Sequence, residues 1–132
     1  MSYLLDTNIC IAFLNGTDPA LRDRLMAMDP TSLLLCSVVK AELAFGARKS
    51  ARVGDNLNRL VQFFHPFHSL PFDDSAAEQY GQIRATLERN GKPIGANDML
   101  IAAIALAHDL TVVTRNVGEF SRVTGLRVED FC

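Results

Sequence analysis

The sequence predicts an α/β domain built on a parallel sheet with helices on both faces. Three observations predict it. Short apolar runs of strand length alternate with longer helix-like runs along the whole 132-residue chain, the pattern of strands joined by right-handed crossovers. No internal repeat, low-complexity tract or Pro/Gly/Ser linker interrupts that alternation, so residues 1–132 read as a single domain. Apolar residues make up 48% of the chain and mean hydropathy is +0.12, enough for a real core at this length, where roughly two thirds of the unfolded surface is buried.

Taken in order, Tyr3 to Leu5 reads as the first strand and Thr7 to Leu14 as a short helix. Asp18-Pro19 has the form of an N-cap followed by proline at the first helical position, opening a helix to about Met28. Leu33 to Cys36 is the second strand, and Ser37 the natural cap of a helix from Val38 to about Ala47. An amphipathic helix covers Val53 to Phe64, followed by a short strand at His68 to Leu70. Ser75-Ala-Ala-Glu78 has capping-box form and starts a helix to about Asn90. After the turn GKPIGAN comes the most apolar helix, Asp98 to His108, then a strand at Thr111 to Val113, a short helix at Val117 to Arg122 and an edge strand at Leu126 to Val128.

Composition excludes several classes. The longest apolar stretch, Met99 to Ala107, is far too short to span a bilayer. The opening MSYLLD lacks the basic segment of a signal peptide, so the expected location is the cytoplasm. The odd set Cys10, Cys36 and Cys132 lacks metal-ligand spacing and fits reduced thiols. A formal charge of -2 argues against a protein that coats nucleic acid by charge alone. It leaves room for a nucleic-acid enzyme whose acidic pocket is neutralised by metal. Basic residues do gather locally, and Arg48, Lys49, Lys92, Arg115 and Arg122 are the candidate phosphate contacts.

Four carboxylates stand out. Asp6 ends the first strand, where it is equally suited to cap the following helix or to line a site, because ligands of parallel sheets bind at the strands' carboxyl ends. Glu42 has Val38, Val39, Phe45 and Gly46 at helical spacing and no basic partner there, and a carboxylate on an apolar face is costly unless paired or metal-bound. Asp98 heads a helix with no polar residue for nine positions. That helix must be buried, its N-terminus opens into a cleft, and its dipole favours an ionised Asp98; Asn97 is available as the cap. Glu119 stands three residues after Asn116, the spacing of a capping box, while Thr114 and Asn116 follow a strand at the same sheet edge as Asp6. Brought together, these like charges would raise one another's pKa values unless a cation sits among them. An all-oxygen donor set suits Mg²⁺ or Mn²⁺, and such a centre can cleave a phosphodiester.

The chain resembles the PIN-domain ribonucleases, in particular the VapC-type toxins of bacterial type II toxin-antitoxin pairs. The resemblance rests on LLDTN at 4–8, ELAFGA at 42–47, IGANDMLIAA at 94–103, VTRNVGEF at 113–120 and GLRVEDF at 125–131, in the family's order from end to end. It implies a PIN-like three-layer fold with a central parallel sheet of four to five strands, and a Mg²⁺- or Mn²⁺-dependent endoribonuclease that arrests translation and growth. Asp6 and Asp98 would be the principal metal ligands, Glu42 and Glu119 the other acids of the catalytic pocket, and Asn8, Thr114 and Asn116 their hydrogen-bonding supports. The implied substrate is tRNA, with this branch similar to those that cut the initiator tRNA anticodon loop. Implied partners are a VapB-type antitoxin and a second copy in a homodimer and higher assembly, with no membrane, and DNA reached only through the antitoxin; helices from about Ala44 to Phe64 would supply those surfaces. Three positions depart from the pattern: Ala96 stands where proline is common, Arg115 where asparagine is frequent, and Asn116 where many distant members carry an acid.

Two rivals share an acidic Mg²⁺ pocket. A phosphatase with Asp6 as nucleophile wants a second acid two residues on, where this chain has Asn8. A receiver-like regulatory domain wants a lysine after a late strand, where this chain has Thr114 and Arg115. A binding module with all four acids as caps leaves Glu42 unexplained.

Overall fold

A computed structural model describes residues 1–131. Its five strands are β1 (Tyr3–Leu5), β2 (Leu33–Cys36), β3 (His68–Leu70), β4 (Thr111–Val113) and β5 (Arg127–Glu129). They form one sheet of order β3-β2-β1-β4-β5 with every neighbouring pair parallel. The described helices are α1 (Thr7–Asn15), α2 (Pro19–Met26), α3 (Ser37–Lys49), α4 (Val53–Phe64), α5 (Asp74–Arg89), α6 (Ala96–Ala107) and α7 (Val117–Phe120). From β1 the chain steps outward to β2 and β3, then crosses back to β4 on the other side of β1. Right-handed crossovers on opposite sides of that reversal lay their helices on opposite faces of the sheet. The reversal also opens a crevice between the carboxyl ends of β1 and β4, where such sheets place their ligands.

The core sits in the central strands and α6. Leu4, Leu5, Leu35, Val112 and Val113 are buried, and so is every residue from Ile101 to Ala105. A helix flanked by apolar surface all round cannot face water, and α6 is accordingly wedged against the sheet and α5. Burying Ile101 or Ile104 alone stabilises the fold by about 1.5–3 kcal/mol.

Local chemistry moves several boundaries from their expected places. Asp18 caps α2 as expected, its Oδ1 accepting from the Leu21 N–H at 3.1 Å, but that helix stops at Met26 and a 3₁₀ turn at Pro30–Ser32, opened by Asp29, precedes β2. Ser37 is the first residue of α3 rather than its cap, and Cys36 in the cap position bonds no backbone N–H with its side chain. The expected capping box at Ser75 is displaced: Asp73 accepts from Ala76 N–H at 3.0 Å, so α5 starts two residues before the expected cap has ended. The buried helix starts at Ala96 with Gly95 in the cap position, and Asn97 is not its cap. The last strand is Arg127–Glu129, one residue beyond the expected span.

Candidate active site

Asp6 leaves β1 at the crevice and is only 4% exposed. Its Oδ1 accepts from the Ile9 N–H at 3.0 Å, so it does cap α1. Its Oδ2 accepts from Thr114 Oγ1, which the neighbouring strand β4 delivers to the same edge. Thr114 is fully buried and its Oγ1 also accepts the Asn116 N–H at 2.9 Å. One carboxylate thus ties together α1, β1 and the loop after β4. Burial pushes the Asp6 carboxyl up, the bonds from Thr114 and Ile9 pull against that, and the charge of Glu42 adds to the rise.

Glu42 is half-buried on α3. The buried stripe of this helix is Val39, Leu43 and Ala47, one i, i+4, i+8 row, and Glu42 lies on its border rather than within it. Phe45, expected on the same apolar face, is 68% exposed. Glu42 Oε1 accepts from Thr7 Oγ1 at 2.6 Å, which aims the carboxylate toward the head of α1.

Asp98 stands in the first turn of α6 and Glu119 on α7. The Asp98 carboxyl is pushed up to about 6, first by burial, then by a hydrogen bond with the Glu119 carboxyl and its charge, then by the charges of Asp6 and Glu42. The helix dipole, expected to keep Asp98 ionised, is outweighed by these neighbours. Asn116 and Glu119 do touch, but not as a capping box: Asn116 Nδ2 donates to Glu119 Oε2, and α7 has no side-chain cap. Asn8 is exposed, and its bond to Asp6 comes from the backbone N–H rather than from the side chain.

Four acids from four chain segments therefore share one electrostatic neighbourhood, and among the described residues none of them is in an ion pair with a basic side chain. Hard carboxylate oxygens without histidine or cysteine are the donors that Mg²⁺, Mn²⁺ or Ca²⁺ prefer. Among the described residues no three such side chains are already arranged as a closed coordination set. Asp98 and Glu119 are hydrogen-bonded to each other. Ionising both would free those oxygens, and a small divalent ion that keeps several waters needs only one or two carboxylates directly. The donor set fits the ion in kind and charge.

Two site residues escaped sequence reasoning. Thr7 is followed by nothing that marks it, yet its hydroxyl orients Glu42; the available signal was its place at the first helical position beside Asp6. Gly95 leaves room for a carboxylate, since a Cβ there would come within 3.3 Å of Asp98 Oδ2. The basic candidates separate. Arg115 Nη2 lies 2.5 Å from Asp18 Oδ2, spanning the loop after β4 and the cap of α2. Lys49 leans over the Phe45 ring at 5.9 Å and Arg48 is exposed beside it. Arg122 donates to the Pro93 carbonyl at 3.0 Å and lines a concavity with Lys92. Beside the acids, a cleft of about 710 Å³ is lined by Thr7, Asn8, Ile11, Glu42, Phe45 and Asn97 among others.

Comparison with known proteins bears on this arrangement. The family model described as PIN domain matches residues 3–126. The chain is 37% identical to the tRNA(fMet)-specific endonuclease VapC of Salmonella typhimurium, covering 100% of this chain and 99% of that one. It is 39% identical to the protein of the same name from Shigella flexneri, covering 99% and 98%. The crystal structure of DNA-bound VapBC from Salmonella typhimurium superposes with a TM-score of 0.94 at 37% identity, covering 100% of this chain and 99% of that one. With a family model spanning nearly the whole chain and full-length relatives above one third identity, the crevice between β1 and β4 is that of a PIN domain, and the chain belongs to the VapC-type ribonucleases of that family.

Proposed function

We propose that this chain is the toxin of a type II toxin-antitoxin pair, cleaving initiator tRNA in its anticodon loop with Mg²⁺ or Mn²⁺ at Asp6, Glu42, Asp98 and Glu119. Nucleases of this family depend on divalent metal in general. The observation that carries the reading is the convergence of those four acids at the reversal of strand order, with none of them, among the described residues, in an ion pair with a basic side chain. Full-length relatives named as tRNA(fMet)-specific endonucleases support the substrate.

Within that reading the chain's own residues divide the work. Asp6 and Asp98 would hold the ion, with Asp6 locked in orientation by Thr114 and the Ile9 N–H. Glu42 and Glu119 complete the pocket, each aimed by one side chain, Thr7 and Asn116 respectively. Burial and the neighbouring Glu119, Asp6 and Glu42 raise the Asp98 carboxyl, and a cation held there would favour its ionised form. When bound, a divalent ion supplies that charge and Lewis-acid assistance to hydrolysis of the phosphodiester. Solved relatives are VapBC complexes, some on DNA, which supports a chain silenced by a VapB-type antitoxin, with DNA reached through that partner; a homodimer is part of the same proposal. Among the described residues no helix is long and apolar enough to cross a membrane.

Expressing the chain alone tests this. Growth arrest and Mg²⁺-dependent RNA cleavage are expected from the parent and not from Asp6→Asn or Asp98→Asn, and sequencing the new RNA ends should place the cut in the initiator tRNA anticodon loop. Ends at another RNA would overturn the substrate, and cleavage surviving both substitutions would overturn the site.

A further inference from the structure

Beyond the acid cluster, the turn before α6 and the outer side of α7 enclose a concavity of about 400 Å³ lined by Leu87, Asn90, Lys92, Gly118, Ser121 and Arg122. Its polar lining is made of donors. Lys92 contributes an ammonium, Arg122 a guanidinium, Asn90 an amide and Ser121 a hydroxyl, and no carboxylate lines it. In a chain of net charge -2, two cations sharing one hollow without an acid stand out. Among the described residues neither is in an ion pair. The guanidinium is held in place, because its Nη1 donates to the Pro93 carbonyl at 3.0 Å. Its remaining N–H groups stay available for an anion, the fork geometry that suits phosphate.

The hollow is tied to the acids through the chain. Arg122 lies just past the end of α7, and its backbone N–H bonds the Glu119 carbonyl at 3.0 Å. Pro93, which Arg122 holds, leads in two residues to Gly95, whose missing Cβ makes room for Asp98. From these observations we infer that the Asn90–Lys92 turn and the Gly118–Arg122 segment form a binding subsite for a phosphate of the RNA strand flanking the one that is cut. This rests on the ribonuclease reading of the acid cluster. The subsite narrows five basic candidates to two. Arg115 is committed to Asp18, and Arg48 and Lys49 lie at the far end of α3. It also explains how a protein with a negative sum attracts a polyanion: cation would neutralise the acids while the strand is gripped at a separate basic hollow lined by the segment that follows Glu119.

Binding is measured by anisotropy of a labelled RNA stem-loop across a salt series with Mg²⁺ present, using the full chain in an Asp98→Asn background so that the RNA stays intact. Lys92→Gln and Arg122→Gln should each weaken binding several-fold and lower the log–log salt slope by about 0.7–0.9, the contribution of one phosphate contact. Gly118→Ala keeps the charge and meets nothing within 4 Å in the protein, so it should fold as the parent does and weaken binding by filling the hollow. Arg48→Gln serves as the distant control. In the active background, Lys92→Gln should raise KM with kcat and the cut position held. Unchanged affinity and salt slope in Lys92→Gln and Gly118→Ala would overturn the subsite. So would a loss confined to binding of the antitoxin, which would make the hollow a protein interface. Absence of cleavage by the parent with any divalent ion would overturn the ribonuclease reading instead, while the binding measurement still decides the subsite.

Discussion

Thr114 carries more of the site than its size suggests. Its buried hydroxyl donates to Asp6 and accepts from the Asn116 N–H, so one atom fixes a carboxylate and the loop that brings Glu119. Thr114→Val keeps the shape and deletes both bonds, leaving a buried acceptor on Asp6 short of a partner. A loss of about 1–3 kcal/mol in unfolding free energy is expected, together with an affinity for the metal weaker by about 10- to 100-fold, the usual cost of removing a group that orients a metal-binding carboxylate. Denaturant titration and a Mg²⁺ titration of cleavage check the two halves, and a variant with parental metal dependence would refute the role. Asp6 and Asp98 were legible in the sequence because each breaks an apolar pattern at a place where parallel sheets bind ligands. Thr7 was not, because the direction of its hydroxyl toward Glu42 is set by how α1 packs on α3 and leaves no trace in spacing.

At the level of elements, strands and helices were readable from alternation, and what moved was their boundaries, the caps of α3 and α5 among them, while Asp18 caps α2 as expected. Two capping acids or hydroxyls close together compete, and local pattern does not say which wins. At α5 the winner is Asp73 over Ser75. Asp73→Ala should therefore cost about 1 kcal/mol of stability with cleavage unchanged, read as a lowered melting temperature at parental kcat; an unmoved melting temperature would return the cap to Ser75. The head of α6 behaves in the opposite way. Gly95 has φ of -55°, a backbone any residue adopts, so Gly95→Ala carries no conformational strain. Its Cβ would nevertheless meet Asp98 Oδ2 at 3.3 Å and press the carboxylate toward Glu119 or out of the crevice. Melting temperature should hold within about a degree of the parent while activity falls about 10-fold or more, the scale of loss when a group proposed to hold the metal is mispositioned. Parental activity in this variant would show that the carboxylate has slack. Only the sheet context reveals this glycine, since the sequence offers it equally as a turn residue before a helix.

For the whole molecule, the strand order decides where stability is spent. Placing the reversal between β1 and β4 gathers four acids at one rim, so the fold that builds the site also works against it when no cation is bound. The sign follows from Asp98, whose carboxyl rises from its ordinary 3.8 to about 6. Between those values the native chain holds a proton that the unfolded chain releases, so stability is highest below about pH 4 on account of this group and is lost as pH rises through 6. For a fully buried group such a change is worth roughly 3 kcal/mol, and solvent screening at a half-exposed carboxyl reduces it to about 1 kcal/mol. Asp6, also raised, acts in the same sense; Asp29, lowered by its bonds to Thr31, acts in the opposite sense from a fully exposed position. Chelated protein should therefore melt higher near pH 5 than at pH 7.5. Saturating Mg²⁺ should reverse that order, because the ion binds the deprotonated acids of the native state, and a 100-fold excess over its dissociation constant adds about 2.7 kcal/mol. Differential scanning at both pH values with and without Mg²⁺ measures this directly. Equal melting temperatures in chelator, or a Mg²⁺ effect as large at pH 5 as at pH 7.5, would mean that the four carboxylates do not repel one another as their placement requires.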